Sequence, residues 1–242
     1  MDLGIAGRVA LVTAGSKGLG RASAMALAQE GARLVICARG EAALRGTEAE
    51  LAAVTEVLAV VADVTEPATP ARLVAEAAER FGGLHIVVAN AGGPPPGRSL
   101  DIDDGQLAAA LNANLLASVR LVRAAVPHLR TAGWGRICLI TSDSIKKPIP
   151  TLSLSNAART GLWAWAKTAA ADLFEHGITL NTVCPGLHAT GRIKELGLAT
   201  PGDVLGEPAD FGRVVTFLCS EPARYVNGAA LLVDGGRFPG LF

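Results

Sequence analysis

The sequence is poor in cysteine and has no excess of either charge, and each shortage argues against a class of protein. Its 242 residues include 22 basic and 22 acidic ones, so the formal net charge is zero. Such a balance argues against the broad basic surface that nucleic-acid binding requires. The four cysteines form no CxxC pair, which predicts buried thiols in a reducing cytoplasm rather than disulfides or a metal site.

Long apolar segments and a leader sequence are also missing. No apolar run reaches the roughly 18 residues that a membrane span needs. Residues 1–13 lack the basic start and the apolar stretch of a signal peptide. We therefore expect a cytoplasmic protein without a membrane or nucleic-acid partner, whose partner is a small-molecule substrate.

Half of the residues are hydrophobic, which is enough for a sizeable core, and strand-like and helix-like segments alternate. The predicted strands are Val9–Thr13, Leu34–Ala38, Leu58–Ala62, Ile86–Ala89, Ile137–Thr141, Thr179–Cys184 and Ala229–Val233. The predicted helices lie near 19–30, 41–53, 68–81, 105–131, 153–176 and 208–220. This alternation predicts an α/β Rossmann fold, a doubly wound parallel sheet of about seven strands with helices on both faces.

A glycine-rich turn stands between the first predicted strand and the first predicted helix. Glycines let the backbone approach a pyrophosphate, and the helix start offers free N–H groups and a favourable dipole. This location makes the motif more specific than a lone glycine-rich turn, although a plain strand–helix connection has the same composition. The predicted cofactor-binding residues of the turn are Thr13, Gly15, Ser16, Lys17, Gly18, Leu19 and Gly20.

Cofactor choice is set at the end of the second strand, where NAD-binding proteins of this fold carry a carboxylate for the ribose 2′-hydroxyl. This chain has no carboxylate between Cys37 and Gly40, and it has Arg39 instead. Arg39 can pair with a 2′-phosphate, and Lys17 supplies a second cation from the glycine turn. The sequence thus favours NADP over NAD. The alternative is that both side chains are solvated surface charges.

No change in composition marks a linker, so residues 1–242 are predicted to form a single dinucleotide-binding domain. Residues 92–97 read GGPPPG, which is typical of a stiff loop. Residues 187–206 contain proline and glycine without a clear period. We expect them to form a flexible segment that serves as a short substrate lid.

Further motifs follow in order and spacing, and together they resemble the short-chain dehydrogenase/reductase family, notably 3-oxoacyl-carrier-protein reductases, over essentially the whole chain. The resemblance implies cofactor contacts from an Asp-Val pair, an Asn-Ala-Gly motif, and a Pro-Gly turn with its following threonine. Those residues are Asp63, Val64, Asn90, Ala91, Gly92, Pro185, Gly186 and Thr190. It also implies catalytic roles for Asn114 and Ser142, and it places Ala14 where the family has its first glycine.

The sequence departs from the family at the remaining catalytic positions. The family has a tyrosine thirteen residues after the serine and a lysine four residues further on, but counting from Ser142 gives Ser155 and Arg159. The one tyrosine of the chain, Tyr225, precedes the last predicted strand and cannot take that place. Ser155 and Arg159 are therefore expected to form an atypical active site with Ser142 and Asn114.

Carbonyl reduction needs a proton for the developing alkoxide as well as a hydride from the cofactor. A serine hydroxyl is a much weaker acid than a phenol, and Ser155 is too short to reach the place of a phenol oxygen. Arg159 stays charged, so it is expected to hold a ribose or stabilise an oxyanion rather than shuttle protons. Substitute proton donors, each with a solvated loop charge as its alternative, are Asp143, Lys146, Lys147 and His188.

These residues favour an NADP(H)-dependent oxidoreductase that acts on a small carbonyl or alcohol, with Ser142 polarising the oxygen. Two alternatives stay open: a catalytically silent dinucleotide-binding sensor or scaffold, and a lyase or isomerase without net redox change. The resemblance also implies a homodimer or homotetramer. Trp163 and Trp165, on the helix after Ser155, suit either a subunit interface or the core.

Overall fold

The computed structural model, which describes residues 1–241, contains one sheet of seven strands. The strands are β1 (Val9–Thr13), β2 (Arg33–Ala38), β3 (Val57–Val61), β4 (Ile86–Ala89), β5 (Gly135–Ile140), β6 (Ile178–Pro185) and β7 (Ala230–Val233). Their order is β3-β2-β1-β4-β5-β6-β7, and every neighbouring pair is parallel. The predicted single-domain Rossmann fold is confirmed, and each predicted strand overlaps an observed one.

Helices cover both faces of the sheet. They are α1 (Gly18–Gln29), α2 (Glu41–Ala52), α3 (Thr69–Phe81), α4 (Asp104–Leu111), α5 (Ala117–Ala132), α6 (Ser153–Phe174), α7 (Gly191–Leu196) and α8 (Pro208–Leu218). Side chains alternate along β1, so Val9 and Leu11 pack with α3, α5 and α6, whereas Ala10 and Val12 pack with α1, α2 and α8. Burial on both faces explains why the strands read as continuous apolar runs.

All four cysteines are free and buried, as predicted from the sequence. Burial is the main cause that raises the pKa of Cys37 to about 12 and that of Cys184 to about 11. Both thiols therefore stay protonated near neutral pH and act as small core residues.

The helix predicted near residues 105–131 is divided in the structure. A π-helical turn over Asn112–Leu116 separates α4 from α5. Such a turn adds a single residue to a helix, so the apolar spacing does not reveal it. By length and composition alone, the whole stretch Asp104–Ala132 is long and apolar enough to cross a membrane. Its side chains Leu121 and Leu129 lie in the hydrophobic core, and 39% of its most apolar 18 residues are buried.

The segment 187–206 is more regular than predicted, because it contains helix α7. Extended Thr190 precedes this helix, and Gly197 ends it with a φ of 60°. A helix of six residues is too short to show a helical period, so the sequence pattern does not predict it.

Candidate functional site

The candidate site lies at the carboxyl ends of β1 and β4, where the strand order changes direction. The connections that leave these two neighbouring strands diverge, which opens a crevice above the sheet. The Thr13 hydroxyl donates to the Asn90 carbonyl at 2.7 Å, and the Asn90 N–H donates to the Thr13 hydroxyl at 2.9 Å. This junction fixes the spacing between the glycine turn and the loop after β4.

Close backbone contacts shape the glycine turn. A Cβ at Gly20 would lie 2.3 Å from the Ala14 carbonyl oxygen and 2.6 Å from Asn90 Nδ2, so no side chain fits there. Gly18 has a φ of 53° and Ala14 a φ of 47°. This left-handed conformation is open to glycine, but it costs a residue with a Cβ, such as Ala14, about 1–2 kcal/mol.

The start of α1 fits an anionic group. Its N-cap residue Lys17 makes no side-chain capping bond, and the first turn carries no acidic residue. The first N–H groups of the helix and the positive end of its dipole therefore face no acidic side chain from the helix's own first turn. Together with the cradle at Gly20, this arrangement fits the pyrophosphate of a dinucleotide.

The end of β2 brings Arg39 beside the glycine turn, because the Gly15 N–H donates to the Cys37 carbonyl at 3.0 Å. Arg39 Nη1 lies 3.7 Å from Asp63 Oδ2, and 77% of the Arg39 side chain is exposed. Burial of Asp63 opposes its ionisation, but hydrogen bonds from Thr65 and the charge of Arg39 outweigh burial and lower the pKa of Asp63. Arg39 is thus an accessible cation whose ion pair with Asp63 is of the weak surface type.

The Pro-Gly turn after β6 completes the rim of the crevice. A Cβ at Gly186 would lie 2.7 Å from the Asp234 Cβ, so this turn packs directly on the end of β7. The Thr190 methyl lies 3.7 Å from where a Gly18 Cβ would be, so two loops meet above the glycine turn. The remaining predicted cofactor residues are at least partly exposed: Ser16, Leu19, Val64, Ala91, Gly92 and Pro185.

Ser142 stands just after β5 and contacts an acid. Its Oγ accepts a hydrogen bond from the Ser144 N–H at 3.1 Å and donates one to Asp143 Oδ1 at 3.1 Å. Burial raises the pKa of Asp143, although the hydrogen bonds from Ser142 and Ser144 oppose this shift. The pair therefore sets a hydroxyl beside a carboxyl that binds its proton more tightly than an ordinary aspartate.

The raised pKa of Asp143 makes the stability of the fold depend on pH. The native carboxyl binds its proton more tightly than the unfolded one, whose pKa is about 3.9. Stability is therefore lost as pH rises from the unfolded pKa through the native pKa. Asp143→Asn keeps an acceptor for Ser142 and removes the buried charge. We expect its Tm to exceed that of the wild type at about pH 8 and to match it below about pH 4.

Thermal unfolding across this pH range measures the effect, since a domain of this size gains about 2–4 °C in Tm per kcal/mol. Asp101→Asn, at an exposed turn residue, is the matched control and is expected to show no pH-dependent difference. A Tm difference between Asp143→Asn and the wild type that stays constant with pH would contradict the raised pKa of Asp143 in the folded protein.

Ser155 and Arg159 lie one turn apart on α6, and each is only 7% exposed. Arg159 Nη1 donates to the Ile140 and Thr141 carbonyls at 2.9 and 3.1 Å, and Nη2 donates to the Ala91 carbonyl at 3.3 Å. Burial is the largest cause that lowers the pKa of Arg159 to about 10, so the group stays charged at neutral pH. These bonds tie α6 to the ends of β4 and β5, a connection that the sequence did not predict.

His188, one of the candidate proton donors, is held away from solvent by structural contacts. It is 4% exposed, and its Nδ1 lies 3.2 Å from the Gly186 carbonyl oxygen. Its ring packs edge-on against Phe211 of α8, with centroids 5.2 Å apart. This environment is that of a packed core histidine.

The two lysines after Ser142 also have other surroundings. Lys146 Nζ lies 5.1 Å from the ring centroid of Trp163, and Lys147 is exposed. Trp165, by contrast, packs against the hydrophobic core. Among the candidate donors, Asp143 is the one whose side chain is hydrogen-bonded to Ser142 in the described residues.

Asn114 lies in the π-helical turn and is 2% exposed. Its Nδ2 lies 3.5 Å from the Ala110 carbonyl oxygen, while its Oδ1 has no hydrogen-bond partner within residues 1–241. A buried acceptor without a donor costs about 1–3 kcal/mol. The Oδ1 atom therefore marks a place for a water or another donor, and π-helical turns recur at functional sites.

Sequence comparison finds relatives along nearly the whole chain. The family described as Enoyl-(Acyl carrier protein) reductase matches residues 13–237. The Homo sapiens protein Dehydrogenase/reductase SDR family member 4 is 33% identical over 244 residues, which covers 96% of this chain and 88% of that protein. The L-rhamnose 1-dehydrogenase (NAD(P)(+)) of Sphingomonas sp. (strain SKA58) is 33% identical over 248 residues, covering 97% and 98%.

A solved structure shares the fold over its full length. L-sorbose reductase from Gluconobacter frateurii, solved in complex with NADPH and L-sorbose, superposes with a TM-score of 0.90 at 31% identity. The match covers 100% of both chains.

Proposed function

This chain belongs to the short-chain dehydrogenase/reductase family of oxidoreductases, and we propose that it is an NADP(H)-dependent enzyme acting on a small carbonyl or alcohol. In this proposal its active site is atypical, with Ser155 and Arg159 where the family has tyrosine and lysine. The observation that carries the proposal is a juxtaposition at one edge of the sheet. The uncapped start of α1, which fits a pyrophosphate, and the Ser142–Asp143 pair both lie at the carboxyl ends of the central strands.

The preference for NADP(H) rests on charge at the end of β2. Arg39 is exposed there, no carboxylate stands between Cys37 and Gly40, and Lys17 adds a second cation from the glycine turn. The solved relative L-sorbose reductase was complexed with NADPH, and the L-rhamnose dehydrogenase is named for both NAD and NADP. These relatives support a nicotinamide dinucleotide, and Arg39 supports the phosphorylated form.

The chemistry that the bound cofactor supplies is hydride transfer to or from the substrate carbon. The Ser142 hydroxyl donates a hydrogen bond to the substrate oxygen and polarises it. During reduction the Ser142 hydroxyl passes its proton to that oxygen and takes a replacement proton from the Asp143 carboxyl that it contacts, and during oxidation the proton returns by the same route. Arg159 keeps a fixed positive charge in the site and would hold the nicotinamide ribose. Asn114 would hold a water through its unpartnered Oδ1.

The test is a screen of purified protein with NADPH and a panel of small aldehydes, ketones and oxo acids, read as loss of NADPH absorbance. Ser142→Ala is expected to lower kcat/KM by about 10²–10³-fold, the effect of removing one hydrogen-bond donor to a developing oxyanion. Ser144→Ala is the matched control, because the Ser144 hydroxyl is buried with no partner in the described residues. It is expected to keep the activity.

Two other outcomes would favour the alternatives. Binding of NADPH without consumption of any carbonyl would favour a silent sensor or scaffold, and substrate conversion without a change in NADPH would favour a lyase or isomerase.

The proposal also includes assembly as a homodimer or homotetramer and a mobile lid over residues 187–206. Light scattering of the purified chain measures the first of these.

A further inference from the structure

Arg159 is a buried cation without an anionic partner. It is 7% exposed, and its hydrogen bonds go to backbone carbonyls rather than to a carboxylate. Within residues 1–241, no ion pair involves Arg159. Buried charges in proteins are ordinarily paired, because desolvation of an unpaired ion costs several kcal/mol. Carbonyl dipoles offset part of that cost and leave the positive charge uncompensated.

The guanidinium of a second arginine contacts the loop at residues 91–94, which Arg159 also contacts. Arg192, on α7, donates from Nη2 to the Pro94 carbonyl at 2.6 Å. A Cβ at Gly93 would lie 3.1 Å from that Nη2 atom, so the guanidinium rests directly on Gly93. Arg159 binds Ala91, three residues before Pro94. The charge of Arg192 is the second cause, after burial, of the lowered pKa of Arg159.

Arg192 is also free of carboxylates in the described part of the chain, and it is only partly buried. Its guanidinium has five N–H donors, of which the contact with Pro94 uses one. The remaining donors suit bidentate recognition of a carboxylate. Two neighbouring cations without an acid between them would be stabilised by a bound anion.

Arg159 connects the loop that Arg192 contacts with the segment that carries the polarising hydroxyl. Arg159 is bonded to the Thr141 carbonyl, and Ser142 is the next residue along the chain. Through Arg159, the loop at residues 91–94 and Ser142 belong to the same edge of the sheet, so an anionic group at Arg192 and a carbonyl oxygen at Ser142 are the two contacts that the inference requires. The phosphate-binding turn is a separate feature at the start of α1.

We propose that Arg192, supported by the charge of Arg159, forms a subsite that selects carbonyl substrates carrying a carboxylate, such as short 2-oxo or 3-oxo acids. The inference rests on the proposed function, because it names the substrate class of the same site. Arg192 binds the carboxylate directly, whereas Arg159 contributes positive charge. A Cβ at Gly93 would lie 3.1 Å from the Arg192 Nη2 atom, so a side chain there would push the guanidinium by a few tenths of an ångström.

The test compares pyruvate and acetoacetate with their methyl esters, using wild-type protein and NADPH. We expect kcat/KM to be higher for each acid than for its ester. Arg192→Gln should lower kcat/KM for the acids by about 10–100-fold, because a hydrogen bond to a charged group contributes about 1.5–3 kcal/mol. It should change the ester values little. Gly93→Ala should also lower kcat/KM for the acids. Lys194→Gln, which removes an exposed cation from the same helix, is the matched control.

Calorimetric titration of acetoacetate into the protein–NADP⁺ complex separates this inference from the proposed function. Binding of the acid that is lost in Arg192→Gln supports the subsite even if no turnover occurs, in which case the proposed activity fails alone. Turnover of esters without a preference for acids, or no binding of acetoacetate, would overturn the subsite. Equal weakening of NADPH and NADH binding by Arg192→Gln would also overturn it, because Arg192 would then serve the cofactor pyrophosphate.

Discussion

Replacing Ser155 with tyrosine and Arg159 with lysine together is expected to raise the rate of NADPH-dependent carbonyl reduction by about 10²-fold or more. A positioned general acid contributes about 10²–10⁴-fold to such a step. A phenol with a pKa near 10 can be brought toward the working pH by an adjacent cation, whereas a serine hydroxyl cannot. Lysine has three N–H donors, so it can still bond the carbonyls that Arg159 holds at the ends of β4 and β5.

Steady-state kinetics on the best carbonyl of the screen measures this gain. The matched control is Ser155→Phe combined with Arg159→Lys, which adds the same ring without the hydroxyl. If both double variants fold and bind NADPH but have the same rate, the counting from Ser142 to residues 155 and 159 is wrong. A gain confined to the tyrosine variant supports the atypical-site interpretation.

Arg39→Ala is expected to weaken NADPH binding by about 10–100-fold while leaving NADH binding nearly unchanged. The reason is that a hydrogen bond to a charged group contributes about 1.5–3 kcal/mol, and about 1.4 kcal/mol corresponds to tenfold in Kd. Loss of the contact between Arg39 and Asp63 should cost little stability, since the arginine is 77% exposed. Isothermal titration calorimetry with the two nucleotides reads the effect directly.

Arg45→Ala serves as the control for Arg39, because it removes a half-exposed arginine of α2 that pairs with Glu41 and Glu48. It should leave both affinities unchanged. Arg39→Asp, which introduces a carboxylate that can accept from a ribose 2′-hydroxyl, should shift the preference toward NADH. Equal weakening of NADPH and NADH in Arg39→Ala would show that Arg39 does not recognise the 2′-phosphate.

The fold was predictable because its signals are local. The bounds of β1 and β4 match the prediction, and β6 extends it by one residue at each end. Strands that are covered on both faces of a sheet are apolar along their length, so they can be read from the sequence as continuous apolar runs. The glycine turn was equally accessible, since its residues are consecutive and lie between a strand and a helix. The π-helical turn and α7 were missed because one added residue or six helical residues leave no distinct period.

The chemistry of the site depends on contacts between distant segments, which the sequence did not reveal. Arg192 was not a candidate, because its position over Gly93 depends on how α7 folds back onto the loop after β4. His188 was a candidate donor because it follows the Pro-Gly turn, but its ring packs on Phe211. Asp143, by contrast, becomes the best-placed of the candidate donors, because the folded loop brings its carboxyl into contact with the Ser142 hydroxyl.

The most direct test of the account is a calorimetric titration of the purified wild-type protein with NADPH and, separately, with NADH. We expect both nucleotides to bind in one site, with a Kd for NADPH that is lower than that for NADH by about tenfold or more, the equivalent of one charge-assisted contact. Equal affinities would contradict the role given to Arg39 and Lys17. Binding of neither nucleotide would contradict the account as a whole, because the glycine turn and the start of α1 would then not serve as a dinucleotide site.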